Sequence, residues 1–261
     1  MAIQNDRSSL QVSVMLLTTA ATLLPLLIAP AVLKGGWIDE YWTIWMTKPD
    51  LSFSEALWNR WLPDVGHPPL FNLIHWSLAH AVGDSLIVRR FVNLITLVVL
   101  LAPTLALMRP QLAPHHFRLL ILLSVLASPF VFAKFAESRA YFTDAIAVLA
   151  LLLTLRELFV RVATSRIGPG LISWLAVVSL IASNLDYTNA IVTHSLLGCS
   201  AVALWLMRRR RLAFIVAVVG VITAALLTLQ LYIAVKLGFT VPSSQVPLVR
   251  GGVALAVAII S

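Results

Sequence analysis

Asp39 and Glu40 stand side by side where a long apolar run gives way to a tryptophan-rich stretch, and Asp64, His67, Pro68 and Pro69 follow in the same stretch. Farther along, Lys134, Glu137, Arg139, Tyr141 and Asp144 gather at the edge of another apolar run. Carboxylates and imidazoles are the groups that take a proton or hold a cation. A charge inside hydrocarbon costs about 2.5 to 3.5 kcal/mol on insertion scales, so acids kept beside apolar spans have a task or a partner. The pattern points to chemistry at a membrane surface, and it needs apolar helices to carry it there.

The composition supplies them. The chain has 261 residues, of which 60% are hydrophobic and only 11% charged, with a mean hydropathy of +0.93. An ordinary soluble domain carries about 25% charged residues. This one reads as an all-α, multi-spanning membrane protein whose partner is the lipid bilayer. The net charge of +8 is not a nucleic-acid signal, because the basic residues fall in short clusters between apolar runs. The lone Cys199 excludes an intrachain disulfide, and its apolar neighbours predict a buried side chain. With no linker and no internal repeat, residues 1–261 read as one membrane domain.

The first apolar run, Leu10 to Leu33, exceeds the core of a signal peptide and reads as an uncleaved span. Further runs centre near Val98, Leu123, Leu149, Val177, Leu197 and Val219, which makes seven spans. An eighth depends on Pro68 to Gly83, which as a helix reaches about 24 Å against a hydrocarbon core of about 30 Å. Charge places that segment in the membrane plane. Arg7, Arg109, Arg118, Arg156, Arg161, Arg166 and the run Arg208 to Arg211 then all face the cytoplasm, as short loops prefer. Asp39, Glu40, Asp50, Glu55, Asp64, Asp84, Glu137, Asp144 and Asp186 collect at the outer face, which predicts a shared site there.

The first outer loop, about 34–89, holds six of the eight tryptophans, at 37, 42, 45, 58, 61 and 76. Ser52 and Glu55 have capping-box spacing, after which Phe53, Leu57, Trp58, Trp61 and Leu62 share one face of a predicted interfacial helix. Pro68 and Pro69 suit the start of a second amphipathic helix that Gly83 terminates, with His67 at its entrance.

The ordered set Asp39-Glu40, His67-Pro68-Pro69-Leu70 and Glu137-Ser138-Arg139-Ala140-Tyr141 resembles the protein O-mannosyltransferase-like branch of the GT-C glycosyltransferases. That branch includes aminoarabinose transferases and many bacterial polyprenyl-phosphate-sugar enzymes. The resemblance runs from about Trp37 to Glu157, with Asp186-Tyr187-Thr188 a faint echo. It implies a helix bundle of GT-C type, with about 7 to 8 spans, in the cell (inner) membrane. It also implies transfer of a sugar from a polyprenyl-phosphate donor to a glycan, lipid or protein acceptor on the non-cytoplasmic face, with inversion.

On that resemblance Asp39 is the catalytic acidic residue, supported by Glu40. A carboxylate beside an acceptor hydroxyl serves as general base, worth typically a hundred- to ten-thousandfold, while a cation stabilises the departing phosphate. Arg139 is the candidate cation, because guanidinium binds phosphate oxygens bidentately, and Lys134 is a second. Glu137, Tyr141 and Asp144, at i, i+4 and i+7, predict one polar stripe on a helix. Some relatives employ a divalent ion, for which His67 with Asp39 or Glu40 offers donors. His75, His80, His115, His116 and His194 show no metal-ligand spacing, and no cofactor is assigned.

Two other readings use the same residues. One is a binder or transporter of lipid-linked sugar, and the other a scaffold that keeps the fold without the activity. The apolar stretch from Val253 to Ile260 is too short to span, so the chain reads as a fragment, a shortened homologue or one part of a complex.

Overall fold

Prolines set where several helices of this chain begin. Pro69, Pro129 and Pro169 each occupy a first helical turn, where the absent N–H is harmless and the fixed φ suits a helix. The computed structural model describes residues 14, 18–19, 21–26, 28–36, 38–63, 68–108, 115–163 and 167–237, and all regular elements among them are helical. His67, Trp37, Asp64, Arg109, Arg166 and residues 253–260 lie outside the described residues, as do the side chains of Asp39, His115 and His116.

The helices in chain order are α1 (Ala21–Leu33), α2 (Ile38–Met46), α3 (Phe53–Ala56), α4 (Pro69–Val82), α5 (Leu86–Thr96), α6 (Ala102–Leu107), α7 (His115–Leu126), α8 (Pro129–Phe135), α9 (Ala140–Ala163), α10 (Pro169–Leu185), α11 (Tyr187–Leu206) and α12 (Arg210–Lys236). A π-helical turn, Leu97–Leu101, joins α5 to α6. Its cause is Pro103, which has no N–H for the Val99 carbonyl and crowds it. The widened turn absorbs the misfit and the helix continues.

Three helices are long and apolar enough to cross a bilayer: Leu86–Leu107 with 22 residues, Tyr187–Leu206 with 20 and Arg210–Lys236 with 27. Residues Phe117–Leu126 and Pro129–Phe135 bend by 49° at the proline and make a fourth if they cross as one. The other expected spans are also helices, but they differ from simple spans. Described α1 and α10 are shorter, and α9 carries Asp144, Arg156, Glu157 and Arg161.

That charge is tolerated because α9 is the most enclosed helix. It packs against α5, α6, α8, α10 and α11, and Ala147 and Ala150 let its neighbours approach closely. By contrast α12 turns Phe214, Val221, Ile222 and Leu229 outward. Cys199 corrects the expectation of a buried thiol. Helix α11 packs through Ala190, Thr193, Leu197, Ser200 and Leu204, which leaves Cys199 exposed on another face.

The loop after α2 follows its local signals. The Ser52 hydroxyl accepts from the Glu55 N–H, and the Glu55 carboxylate accepts from the Ser52 N–H at 3.0 Å, completing the capping box. Gly83 ends α4 at φ 125, a conformation open to glycine. The shared face of Phe53, Leu57, Trp58, Trp61 and Leu62 does not form. A π turn over Leu57–Trp61 widens the helix, so Trp61 is buried against Met46 and Ala56 while Trp58 stays exposed.

Candidate functional site

Glu40 lies in the first turn of α2 and is completely buried. A buried carboxylate needs a partner of good geometry, and Arg90 on α5 supplies it. Its Nε donates to Oε1 at 2.9 Å and its Nη2 to Oε2 at 2.7 Å. The remaining guanidinium N–H groups donate to the carbonyls of Ala31, Lys34 and Gly35 at 2.7 to 3.0 Å, so all five donors are used. Arg90 therefore also ties down the carbonyl end of α1.

Neighbouring Arg89 does the same for α2. It donates to the Thr47 carbonyl at 3.0 Å and to Asp84 at 2.7 Å, and it also bonds the Thr47 hydroxyl. One turn on, the Asn93 amide donates to the carbonyls of Phe135 and Glu137 at 2.9 and 2.8 Å, closing the end of α8. One short stretch of α5 thus holds the ends of three other helices.

The second contact of Glu40 brings the distant motifs together. Its Oε1 accepts from the Ser138 N–H at 2.7 Å, ninety-eight residues away, and the Thr43 hydroxyl donates to the Ser138 carbonyl at 3.3 Å. The Asp39-Glu40 pair and Glu137-Ser138-Arg139 are thereby neighbours. With both oxygens engaged and no exposure, Glu40 positions the site, and contact with a substrate would fall to other groups.

The exposed side of this junction is cationic. Lys34 and Lys134 each donate to Glu137 at 3.0 Å, on opposite oxygens. Lys134 and Arg139 both lie over the Tyr141 ring, at 5.1 and 4.6 Å from its centre. Burial tends to raise the Glu137 carboxyl, but hydrogen bonds from Lys134 and Lys34 outweigh it and hold the group below the ordinary carboxylate range. Lys34, Lys134 and Arg139 are cations of the kind that bind phosphate oxygens.

The predicted stripe of Glu137, Tyr141 and Asp144 does not form. Helix α9 begins only at Ala140, because Glu40 and Asn93 capture backbone groups of residues 137–138 in a bent connection. Tyr141 is exposed, whereas Asp144 is buried with Oδ1 lacking a hydrogen-bond partner. The carboxylate of Asp186 accepts from the Thr188 N–H at 2.6 Å, starting α11. Asp39 is on α2 beside this junction, its side chain outside the described set like all of His67. Among the described residues no three His, Cys, Asp or Glu side chains gather around a cation position.

Arg89, Arg90, Asn93 and Lys34 escaped the reading of the sequence. The available signal was the Arg89-Arg90 pair beside the apolar run near Val98, since charges there require partners.

An apolar groove of about 500 Å³ runs along α9 between it and the bent α7–α8 pair, lined by Phe117, Ile121, Phe130, Val131, Ile146 and Leu153. Its α8 end, at Phe130 and Val131, lies one turn from Lys134. Comparison with protein-family models, with curated proteins and with solved structures gives no match, so the chemistry of the site rests on its own geometry.

Proposed function

We propose that this chain is a membrane glycosyltransferase of GT-C type, moving a sugar from a polyprenyl-phosphate donor to an acceptor on the non-cytoplasmic face. The observation that carries the reading is the Glu40–Ser138 contact, which sets an acidic motif beside a cluster of Lys34, Lys134 and Arg139. Asp39 accepts the proton of the acceptor hydroxyl as its oxygen attacks the anomeric carbon. The bond from that carbon to the phosphate oxygen breaks, and the lipid phosphate leaves with the electron pair. Arg139 and Lys134 stabilise the growing negative charge. A single displacement of this kind inverts the anomeric centre. The groove along α9 suits the apolar chain of the donor, and the remaining helices complete a seven-span bundle in the inner membrane.

The test uses purified protein and a labelled polyprenyl-phosphate sugar. Asp39→Asn lowers turnover about a hundred- to ten-thousandfold, and Arg139→Gln lowers it while leaving the melting temperature unchanged. Wild-type turnover in Asp39→Asn would sink the reading. The competing reading, a carrier for lipid-linked sugar, draws on the groove and the cations without the acid. Movement of labelled donor across vesicles with no new glycosidic bond would favour it.

A further inference from the structure

The turn between α11 and α12, with the first two residues of α12, places four consecutive arginines, Arg208 to Arg211, all exposed. It closes as a helix-ending motif in which the Arg208 N–H donates to the Trp205 carbonyl and the Arg209 N–H to the Leu204 carbonyl, both at 2.9 Å. The position taken by Arg208 is left-handed, at φ 60, where glycine is the favoured residue. A strained side chain kept where glycine would fit without strain is a sign of use.

The surroundings indicate what it is used for. Arg209 reaches the Val162 carbonyl at 3.3 Å, which sets the turn against the end of α9, and Arg210 lies over Trp205 at 5.3 Å. Arg118, Arg156 and Arg161 belong to the same end, donating to or stacking on Met108, Phe117 and Leu107. Opposed to them among the described residues is Glu157, which is buried and bonded to Arg161 at 2.8 Å. The outward charge at this end is therefore positive. Directly before the arginines, Trp205, Leu206 and Met207 are exposed on a helix apolar enough to cross a bilayer. Apolar side chains beneath a band of guanidinium groups match the layering of a phospholipid leaflet, with acyl chains below and phosphates above.

We infer that the Arg208–Arg211 turn is a binding site for anionic phospholipid, its guanidinium groups holding the headgroup phosphate while Trp205, Leu206 and Met207 lie along the acyl chains. This inference is independent of the sugar-transfer reading. Guanidinium forks grip phosphate through paired N–H groups, which explains arginine at all four positions.

Native mass spectrometry of the full chain in neutral detergent, with phosphatidylglycerol and phosphatidylcholine of identical chains at equal concentration, reads the site directly. The wild type retains phosphatidylglycerol preferentially. Each of R208G and R211Q lowers that retention about fivefold, the effect of one basic residue near the lipid surface, and leaves phosphatidylcholine unaffected. R208G also raises the melting temperature, since glycine relieves the left-handed strain, so its loss of lipid cannot be ascribed to unfolding. Equal retention of the two lipids by the wild type, or unchanged phosphatidylglycerol retention in both variants, would overturn the inference. Full displacement of the lipid by glycerol phosphate would also overturn it, marking a site for soluble anions.

Discussion

The two ends of the α9 bundle handle charge in opposite ways. At the end holding Glu40 and Glu137, acids and bases alternate and most are locked. Arg90 uses every donor it has, and Glu40 both of its oxygens. At the other end the four arginines of Arg208–Arg211 are exposed, with Arg209 reaching the Val162 carbonyl and Arg210 lying over Trp205. Buried charge whose partners are all protein groups sets geometry, whereas exposed charge without them is available to something outside the chain.

The largest effect expected from breaking this contrast is at Arg90. Arg90→Leu strands a buried carboxylate and three helix-end carbonyls, costing about 3 to 5 kcal/mol in thermal unfolding in detergent. Arg211→Gln, the matched change at the other end, stays within about 0.5 kcal/mol. Equal losses would erase the distinction. Asn93→Leu comes next, leaving the carbonyls of Phe135 and Glu137 uncovered for about 1 to 3 kcal/mol.

A subtler signature belongs to Glu137. Its carboxyl titrates below the ordinary value of 4.5, so the stability it contributes is present above that pH and is lost as pH falls through the folded value. Melting curves from pH 7 to pH 3 therefore show an acid limb that Glu137→Gln flattens. An unchanged limb would mean that the Lys34 and Lys134 bonds contribute nothing. A modest change of opposite sign belongs to Arg208→Gly, which gains about 1 kcal/mol by removing left-handed strain.

Local signals were legible in the sequence to the degree that their physics is local. The Ser52-Glu55 box, the proline start of α4 and its stop at Gly83 needed only neighbouring residues, and the structure has all three. The meeting of residues 39–40 with 137–139 was implied by the family resemblance, whereas the groups that enforce it were not. Arg90 finds Glu40 fifty residues away, and no periodicity encodes such a pairing. The Glu137, Tyr141, Asp144 stripe failed for the same reason, since a distant carboxylate took the Ser138 N–H and delayed the helix. The burial of Trp61 was hidden by a wide turn whose register spacing alone does not announce.

The turn at Leu97–Leu101 carries a consequence for length. Its extra residue sets the phase between Arg89, Arg90 and Asn93 before it and Thr104 after it, where the Thr104 hydroxyl accepts from the Trp174 indole at 2.9 Å. Deleting one residue there, with Pro103 replaced by alanine, would restore an ordinary spiral and swing the downstream half by about 100°. The arginines would keep their carbonyls while Thr104 turned away from Trp174. The span is thus a clutch between two gears, and its tooth count tolerates no silent change.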